Sequence, residues 1–536
     1  MTADGNSAVA SGSLRAARAV RPGRPVRARL VRAARPSTVP TKAQLGLGWT
    51  NLLEVRICRV SAKLDYNALV RVRSRLRVDE SRDEAVALRK EVEAWRSGWG
   101  EVDAMGLHLT QLDQLYAVSL GLIDEISRHI DAINIATGTG EVYEQCRSQD
   151  GRLLHARRLW RWYADKLDQR AGPPDDDVVQ TLRAADEVLW SCWKTAFTLL
   201  GEPVPPAPIP YLAPLYSANA TPKTDPPPEL RPGVDDLLRK HVEQLPVAAV
   251  GLPPVCCRRP WWIILTAHEA SHHVQFEAGQ SRLEELTQER VVAAADGVDD
   301  DVWLAERWRP WCRELFADAC SVLLVGPAAI WAVSELEMRP PAGLRKSPSG
   351  SYPPPLVRLA VLRAVAERAE IAVDQSAGAA LPGWDVAEDD DRIGPLLARV
   401  PAVAAALTAL EPTPGRTLLS LAAATSQAYC DGANVAAWRA ELLGADEPIA
   451  QQLLDAARFC VAAGVGIWEQ SGGQPGLAER LAPRLRTLLP LCQDPGTRAG
   501  DATHDADDVT QQLLADLYQK ADGLPVSGPV REILSE

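Results

Sequence analysis

Residues 202–232 hold Pro203, Pro205, Pro206, Pro208, Pro210 and Pro214 close together, followed by Pro226, Pro227 and Pro228. Proline has no amide hydrogen and a fixed φ, so this stretch can form neither a regular helix nor a central strand. It reads as an extended surface connection, a domain boundary or a strap across the next domain. Before it, Asp83–Arg96, Leu109–Ile133, Arg152–Arg170 and Asp177–Leu199 carry apolar residues three and four apart, the period of helices with one buried face. Trp160, Trp162, Trp190 and Trp193 are expected to pack these helices together, with stacking on a base or sugar as the alternative.

After the prolines, a helix is expected over Gly233–Gln244. A short apolar strand comes next at Val247–Val250, ended by Gly251 and Pro253 and serving as the edge of a small sheet. From about residue 400 the pattern is helical again, with loops near Glu411–Gly415, Ser471–Gly476 and Asp494–Asp508. With 536 residues, 46% of them hydrophobic, the chain can bury a core larger than one small domain needs. The expected organisation is a disordered basic tail (1–44), a helical N-terminal region (45–200), a proline-rich connection plus helix (201–245), a central core (246–370) and a helical C-terminal region (371–536).

The net charge of −12 is uneven, because residues 1–40 hold eight arginines (Arg15 to Arg35) against the single acid Asp4. That tail reads as a targeting segment, an electrostatic arm or a translated leader. The remaining chain is more acidic than the total suggests, which argues against nucleic acid as a partner. Acidic runs at Asp296–Asp301 and Glu388–Asp391 are expected to be solvated turns; the first lacks the spacing of a calcium-binding loop. No apolar run is long enough to span a bilayer. The ten cysteines include no Cys-x-x-Cys and follow no secretory signal, so reduced thiols and a cytoplasmic location are expected. The adjacent Cys256 and Cys257 are the one unusual pair.

The chemistry concentrates at His268-Glu269-Ala270-Ser271-His272. Only eight histidines exist in the chain, and three fall between 268 and 273. Arg259-Pro260-Trp261 opens a helix that runs without a breaker to Phe276. Residues four apart share a helix face, so His268 and His272 can bind one divalent ion while Glu269 stands beside it. Zinc so held acidifies water and polarises a carbonyl, and a neighbouring carboxylate takes the proton. A third ligand is sought downstream. Gln275 and Ala278 exclude a His-x-x-Gly-x-x-His continuation. Arg309-Pro310-Trp311 opens a second helix, which carries Glu314 and Asp318 on one face and stops at Gly326-Pro327. Glu314 can complete the site, and Asp318 can accept a hydrogen bond from a ligating imidazole. His273 points about 100° away from His272 and is expected beside the ligands or on the surface.

His268-Glu269-x-x-His272 followed by Glu314-x-x-Ala317-Asp318 resembles the gluzincin metallopeptidases, and within them the Glu-x-x-Ala-Asp subgroup that includes the CAAX-prenyl peptidases. The resemblance covers residues 255–365. It implies zinc on His268, His272 and Glu314, Glu269 as general base, and Asp318 supporting His268. It also implies a mainly α fold with an α+β, zincin-like core and small sheet, flanked by helical regions, and a protein or peptide substrate. The subgroup's downstream His-Pro-x-x-x-Arg element is met here by Tyr352-Pro353 and Arg358. Tyr352 is either a donor to the developing oxyanion or a packed tyrosine in a proline turn; Arg358 braces the site. The 41 residues between His272 and Glu314 exceed the thermolysin-like gap. They include an expected helix, Leu283–Ala295, and the carboxylates Glu284, Glu285, Glu289 and Glu306, none with an Asp four residues on. The membrane spans of the prenyl peptidases are missing, so lipidated substrates are not inferred. Two alternatives stand beside the peptidase: a non-catalytic helical interaction protein with a retained structural zinc site, and a metal hydrolase of a non-peptide amide.

Overall fold

The computed structural model describes residues 51–99, 108–222, 227, 230–245, 248–278, 282–296, 306–347, 350–373, 393–429, 434–444, 457–471 and 474–492, with backbone alone for 51–65. The basic tail, most of the acidic loop at 296–301, the Glu388–Asp391 run, the 494–508 loop, Cys58 and Cys430 lie outside the described residues or side chains. The chain divides into two units, residues 1–67 and 68–536. Of the first, the structure describes helical backbone from Asn51 onward. The second holds the sheet, the remaining helices and the candidate site.

The fold is mainly helical. Helices α1 (Asn51–Gly98), α2 (Leu109–Asp131) and α3 (Thr139–Leu167) bring together Leu88 and Val92, Ile126 and Ile130, and Leu153 and Trp160 in one apolar cluster. The spacing that suggests a helix from Arg152 understates α3, which starts at Thr139 and already buries Val142 and Cys146 in its first turns. Helix α4 (Asp177–Leu200) starts where the Asp176 carboxylate accepts from the Val178 and Val179 amides, and ends at Gly201, which takes the left-handed φ of 75° that a C-cap glycine allows. Trp160 and Trp193 are buried in two separate apolar clusters; Trp190 packs half-buried against the second, and Trp162 half-buried against a third.

The proline-rich stretch does more than connect. It supplies β1 (Ile209–Leu212) and β2 (Asn219–Thr221). After α5 (Asp236–Val242), β3 (Ala249–Leu252) inserts between them. The sheet order is β1-β3-β2, with β1 parallel and β2 antiparallel to β3. The apolar strand expected at the edge is therefore the central one. Pro210 is accommodated because β1 is an edge strand, where a missing amide hydrogen removes no second ladder.

A 3₁₀ turn from Pro260 to Ile264 leads into α6 (Leu265–Glu277), with Pro260 at the first position, where its absent donor costs nothing. Helix α6 lies against α4, β2 and β3 and is buried almost all round. Its polar side chains close locally: Thr266 Oγ1 donates to Ile263 O and Ser271 Oγ to Ala267 O. The helix α7 (Leu283–Ala295) has the expected bounds. A second 3₁₀ turn, Arg309–Trp311, opens α8 (Cys312–Val325), which packs along α6 with every residue except Arg313 buried. Gly326 ends α8 at φ 68°, ψ −145°, and Pro327 starts α9 (Pro327–Glu337). Pro355 opens α10 (Pro355–Arg368). Helices α11 (Val400–Thr408), α12 (Ala422–Ala428), α13 (Asn434–Leu442), α14 (Ala457–Gln470) and α15 (Leu477–Leu488) complete the described chain. They extend the same large core that holds α4, α6 and α8. Among the described residues no helix is long and apolar enough to cross a membrane.

Gly326 sets the angle between α8 and α9. A Cβ there would sit 2.5 Å from Tyr429 Cε2, at a backbone conformation that L side chains rarely adopt. Gly326→Ala is expected to destabilise the fold by about 2–4 kcal/mol, read as a lowered urea midpoint with unchanged slope.

Candidate metal centre

Helical geometry puts His268 and His272 on one face of α6, and α8 brings Glu314 opposite them. His268 Nε2 lies 3.2 Å from His272 Nε2 and 3.4 Å from Glu314 Oε2; His272 Nε2 lies 3.7 Å from Glu314 Oε1. Among the described residues these three form the only His, Cys, Asp or Glu group close enough to hold a metal ion. Four ligands at zinc distances in a tetrahedron stand about 3.3–3.4 Å apart, so the donor atoms match the edges of such a polyhedron. Glu314 Oε2 is buried without a conventional hydrogen-bond partner. Two facing imidazole nitrogens and a buried carboxylate oxygen without a conventional hydrogen bond suit a shared cation.

The electrostatics of the cluster are strongly coupled. Burial opposes a charge on His268, but the carboxylates of Asp318 and Glu314 outweigh it and raise its pKa to about 10. Burial also opposes a charge on Glu314, yet His268 and His272 hold its carboxyl well below the usual range. Glu269 moves the other way. Burial, reinforced by Glu314, raises its proton affinity against the pull of His268 and His272. A buried carboxylate with raised proton affinity is suited to taking and returning a proton.

Behind the cluster stands a chain of buried charges. Asp318 Oδ1 is 3.0 Å from His268 Nδ1, close but off the line of a conventional hydrogen bond. Arg358, from α10, grips the same carboxylate with both ends of its fork: Nε donates to Oδ2 at 2.6 Å and Nη2 to Oδ1 at 2.9 Å. Burial works against the Asp318 charge, but Arg358 and His268 keep its carboxyl below the usual range. The remaining guanidinium arm, Nη1, donates to Glu337 Oε1 at 2.9 Å, while Nη2 passes 3.7 Å from Glu314 Oε2. Glu337 is missed by sequence reasoning. It ends an apolar helix, and nothing in its neighbourhood marks it beyond a lone carboxylate there.

Tyr352 is half-buried, and the Arg358 guanidinium carbon lies 5.2 Å from its ring centroid. Burial and the nearby Glu314 push its phenol above the usual range. His273 lies neither beside the ligands nor on the surface. It is fully buried, with Nε2 3.3 Å from Ala249 O, tying α6 to the central strand. Burial lowers its pKa to about 3, against the opposing effect of that backbone carbonyl, so the ring is neutral. The surface expectation fails because α6 has no solvated face at this turn.

Two cavities open on the cluster. One, of about 340 Å³, runs between the start of α6 and α9; the other, of about 370 Å³, runs along β2. His268, Glu269 and Tyr352 border both. The described cysteines are unpaired; Cys256 is buried, Cys257 half-buried, and neither belongs to a metal-binding group. No family model, curated protein or solved structure matches the chain.

Proposed function

We propose that the chain is a zinc-dependent peptidase of the gluzincin type, with a zincin-like core, in which His268, His272 and Glu314 hold the ion and Glu269 is the general base. The observation that carries this is the spacing of the three donor atoms at 3.2, 3.4 and 3.7 Å. Two imidazoles and a carboxylate suit zinc among the common divalent ions. Zinc there would polarise a carbonyl and acidify water. Glu269 takes the water proton and hands it to the leaving amine as the C–N bond breaks. Asp318 holds the Nδ1 side of His268 and so presents Nε2 to the ion. Tyr352, bordering both cavities, is the donor for the carbonyl oxygen.

A purely structural zinc site closes with four protein ligands. Three ligands beside two cavities favour an open position and therefore catalysis. Strand β2 borders the second cavity and, among the described residues, has no partner on its outer side. An extended peptide can pair there, in place of the β3 edge expected from sequence. The unpaired thiols support a reducing, cytoplasmic setting. The test is incubation of the zinc-loaded full chain with a peptide pool, read by mass spectrometry. Cleavage that a chelator abolishes and zinc restores supports the peptidase; cleavage indifferent to both would sink it.

Glu337 has a consequence for the same site. It holds one arm of Arg358 while the other passes Glu314. Without Glu337 the guanidinium, still held by Asp318, is less neutralised and competes more strongly with the ion for Glu314 Oε2. Glu337→Ala is expected to weaken zinc binding by about 10–100-fold. Glu337→Gln, which keeps an acceptor for Arg358, should recover most of that loss. Competition against a chromogenic chelator measures both; equal affinities in all three proteins would refute the role.

A further inference from the structure

Strand β1 ends at Leu212, opposite Leu252, and β2 begins at Asn219, opposite Gly251, with β3 between them. Residues 213–218 therefore cross the end of β3. Two strand spacings are about 10 Å, well within the reach of a loop this long, so its middle has length to stand off the sheet. The crossing is pinned where it starts: Ala213 N donates to Leu252 O at 2.8 Å, and Leu215 N to Ala213 O at 2.7 Å. Tyr216 then stands 82% exposed, and among the described residues it has no hydrogen bond or ring contact. Yet Tyr216, Ser217 and Ala218 border the α9-side cavity together with His268 and Glu269. The other charged side chains at that cavity are engaged with one another, Glu337 with Arg358 at 2.9 Å and with Arg339 at 3.3 Å. A ring kept largely in water adds nothing to the core; covering it with a bound molecule removes apolar surface from water.

We propose that Tyr216 is a substrate contact, its ring covering the peptide residues on one side of the scissile bond, in the α9-side cavity. This rests on the peptidase reading and adds a residue that holds the substrate. Ala218, His268, Glu269 and Tyr352 border both cavities, so a chain held at Tyr216 runs past Glu269 into the second cavity, beside Asn219–Thr221. Ser217 and Ala218 are small and leave the way between the ring and β2 open. The sheet fixes where the loop starts and ends, which keeps the ring at the cavity without packing it into the core. Its effect is confined to substrates with residues on the α9 side of the bond.

The probes are hydroxamates, which chelate zinc. Acetohydroxamate reaches the metal alone. A Leu-Ala dipeptide with the hydroxamate at its C-terminus, and a Leu-Ala amide with a malonyl hydroxamate on its N-terminus, extend from the metal in opposite directions. Binding to the zinc-loaded full chain is measured calorimetrically. In Tyr216→Ala one dipeptide probe should weaken about tenfold, the change expected when about 50 Å² of apolar surface is left uncovered, while the other probe and acetohydroxamate change by about twofold or less. Tyr216→Phe keeps the ring and should bind all the probes as wild type does. The side chain is 82% exposed, so neither substitution disturbs the core. Equal losses in the two dipeptide probes, or no loss in either, overturns the proposal. Acetohydroxamate separates the two levels. If it binds zinc-loaded wild type and not His268→Ala, the metal site stands whatever Tyr216 does. If no probe binds in a zinc-dependent way, the peptidase reading and the Tyr216 contact fall together.

Discussion

Purified full-length protein supplied with zinc is expected to carry about one ion per chain, and His268→Ala, His272→Ala and Glu314→Ala are each expected to weaken that binding by about a thousandfold or more. Each substitution removes one of three donor atoms that now lie within 4.8 Å of one another. The two remaining ligands cannot hold the ion alone. Asp318→Ala should have a smaller effect, about 10–100-fold, because it releases His268 from behind without removing a donor. Ion binding to the folded chain adds stability by mass action, about 2.7 kcal/mol at a hundredfold excess over Kd. Zinc should therefore raise the melting temperature of wild type and leave that of His268→Ala unmoved. Elemental analysis and a thermal scan with and without zinc check this. Stoichiometric zinc in His268→Ala would show that the ion sits elsewhere.

Glu269→Gln separates metal binding from catalysis. The amide has the shape of the carboxylate but cannot accept the proton, so kcat/KM for any cleaved peptide should drop by about 10²–10⁴-fold with zinc content unchanged. The residue is suited to the role because burial raises its proton affinity while both histidines restrain the rise. Full activity in Glu269→Gln would remove the general-base assignment. Lost activity together with lost zinc would show that Glu269 supports the metal site instead of acting beside it. A helical protein that merely kept a structural zinc would show no peptide cleavage to lose.

The parts of the site legible in the sequence are those that one helix determines. His268 and His272 share a face because four residues make about one turn, and the same holds for Glu314 and Asp318. Pro260 and Pro310 mark where each helix begins, and Gly326-Pro327 where the second ends, because these residues act through their own backbone. The convergence of Glu314 on the two histidines is expected from residue chemistry and from setting aside other carboxylates in the intervening segment.

Other features depend on packing between distant segments. Whether His273 meets solvent depends on what covers α6, and its nearly complete burial leaves no amphipathic contrast to read. The central place of β3 requires two short strands from the proline-rich stretch, one on each side, and strand pairing of that kind has no local signature. Arg358 is expected from sequence to brace the site, but its division between Asp318 and Glu337 depends on α8, α9 and α10 meeting at one point. The cavities depend on the same meeting of elements.

The sequence by itself determined which residue types sit four apart on two proline-opened helices, because helical spacing is a property of the local backbone. Only the tertiary structure decided that the two faces meet, at 3.4 and 3.7 Å between donor atoms. It also decided that Glu337 holds Arg358 behind them and that two cavities, both bordered by Glu269, open on the cluster. Those arrangements are set by long-range burial of helix faces, which no window of sequence contains.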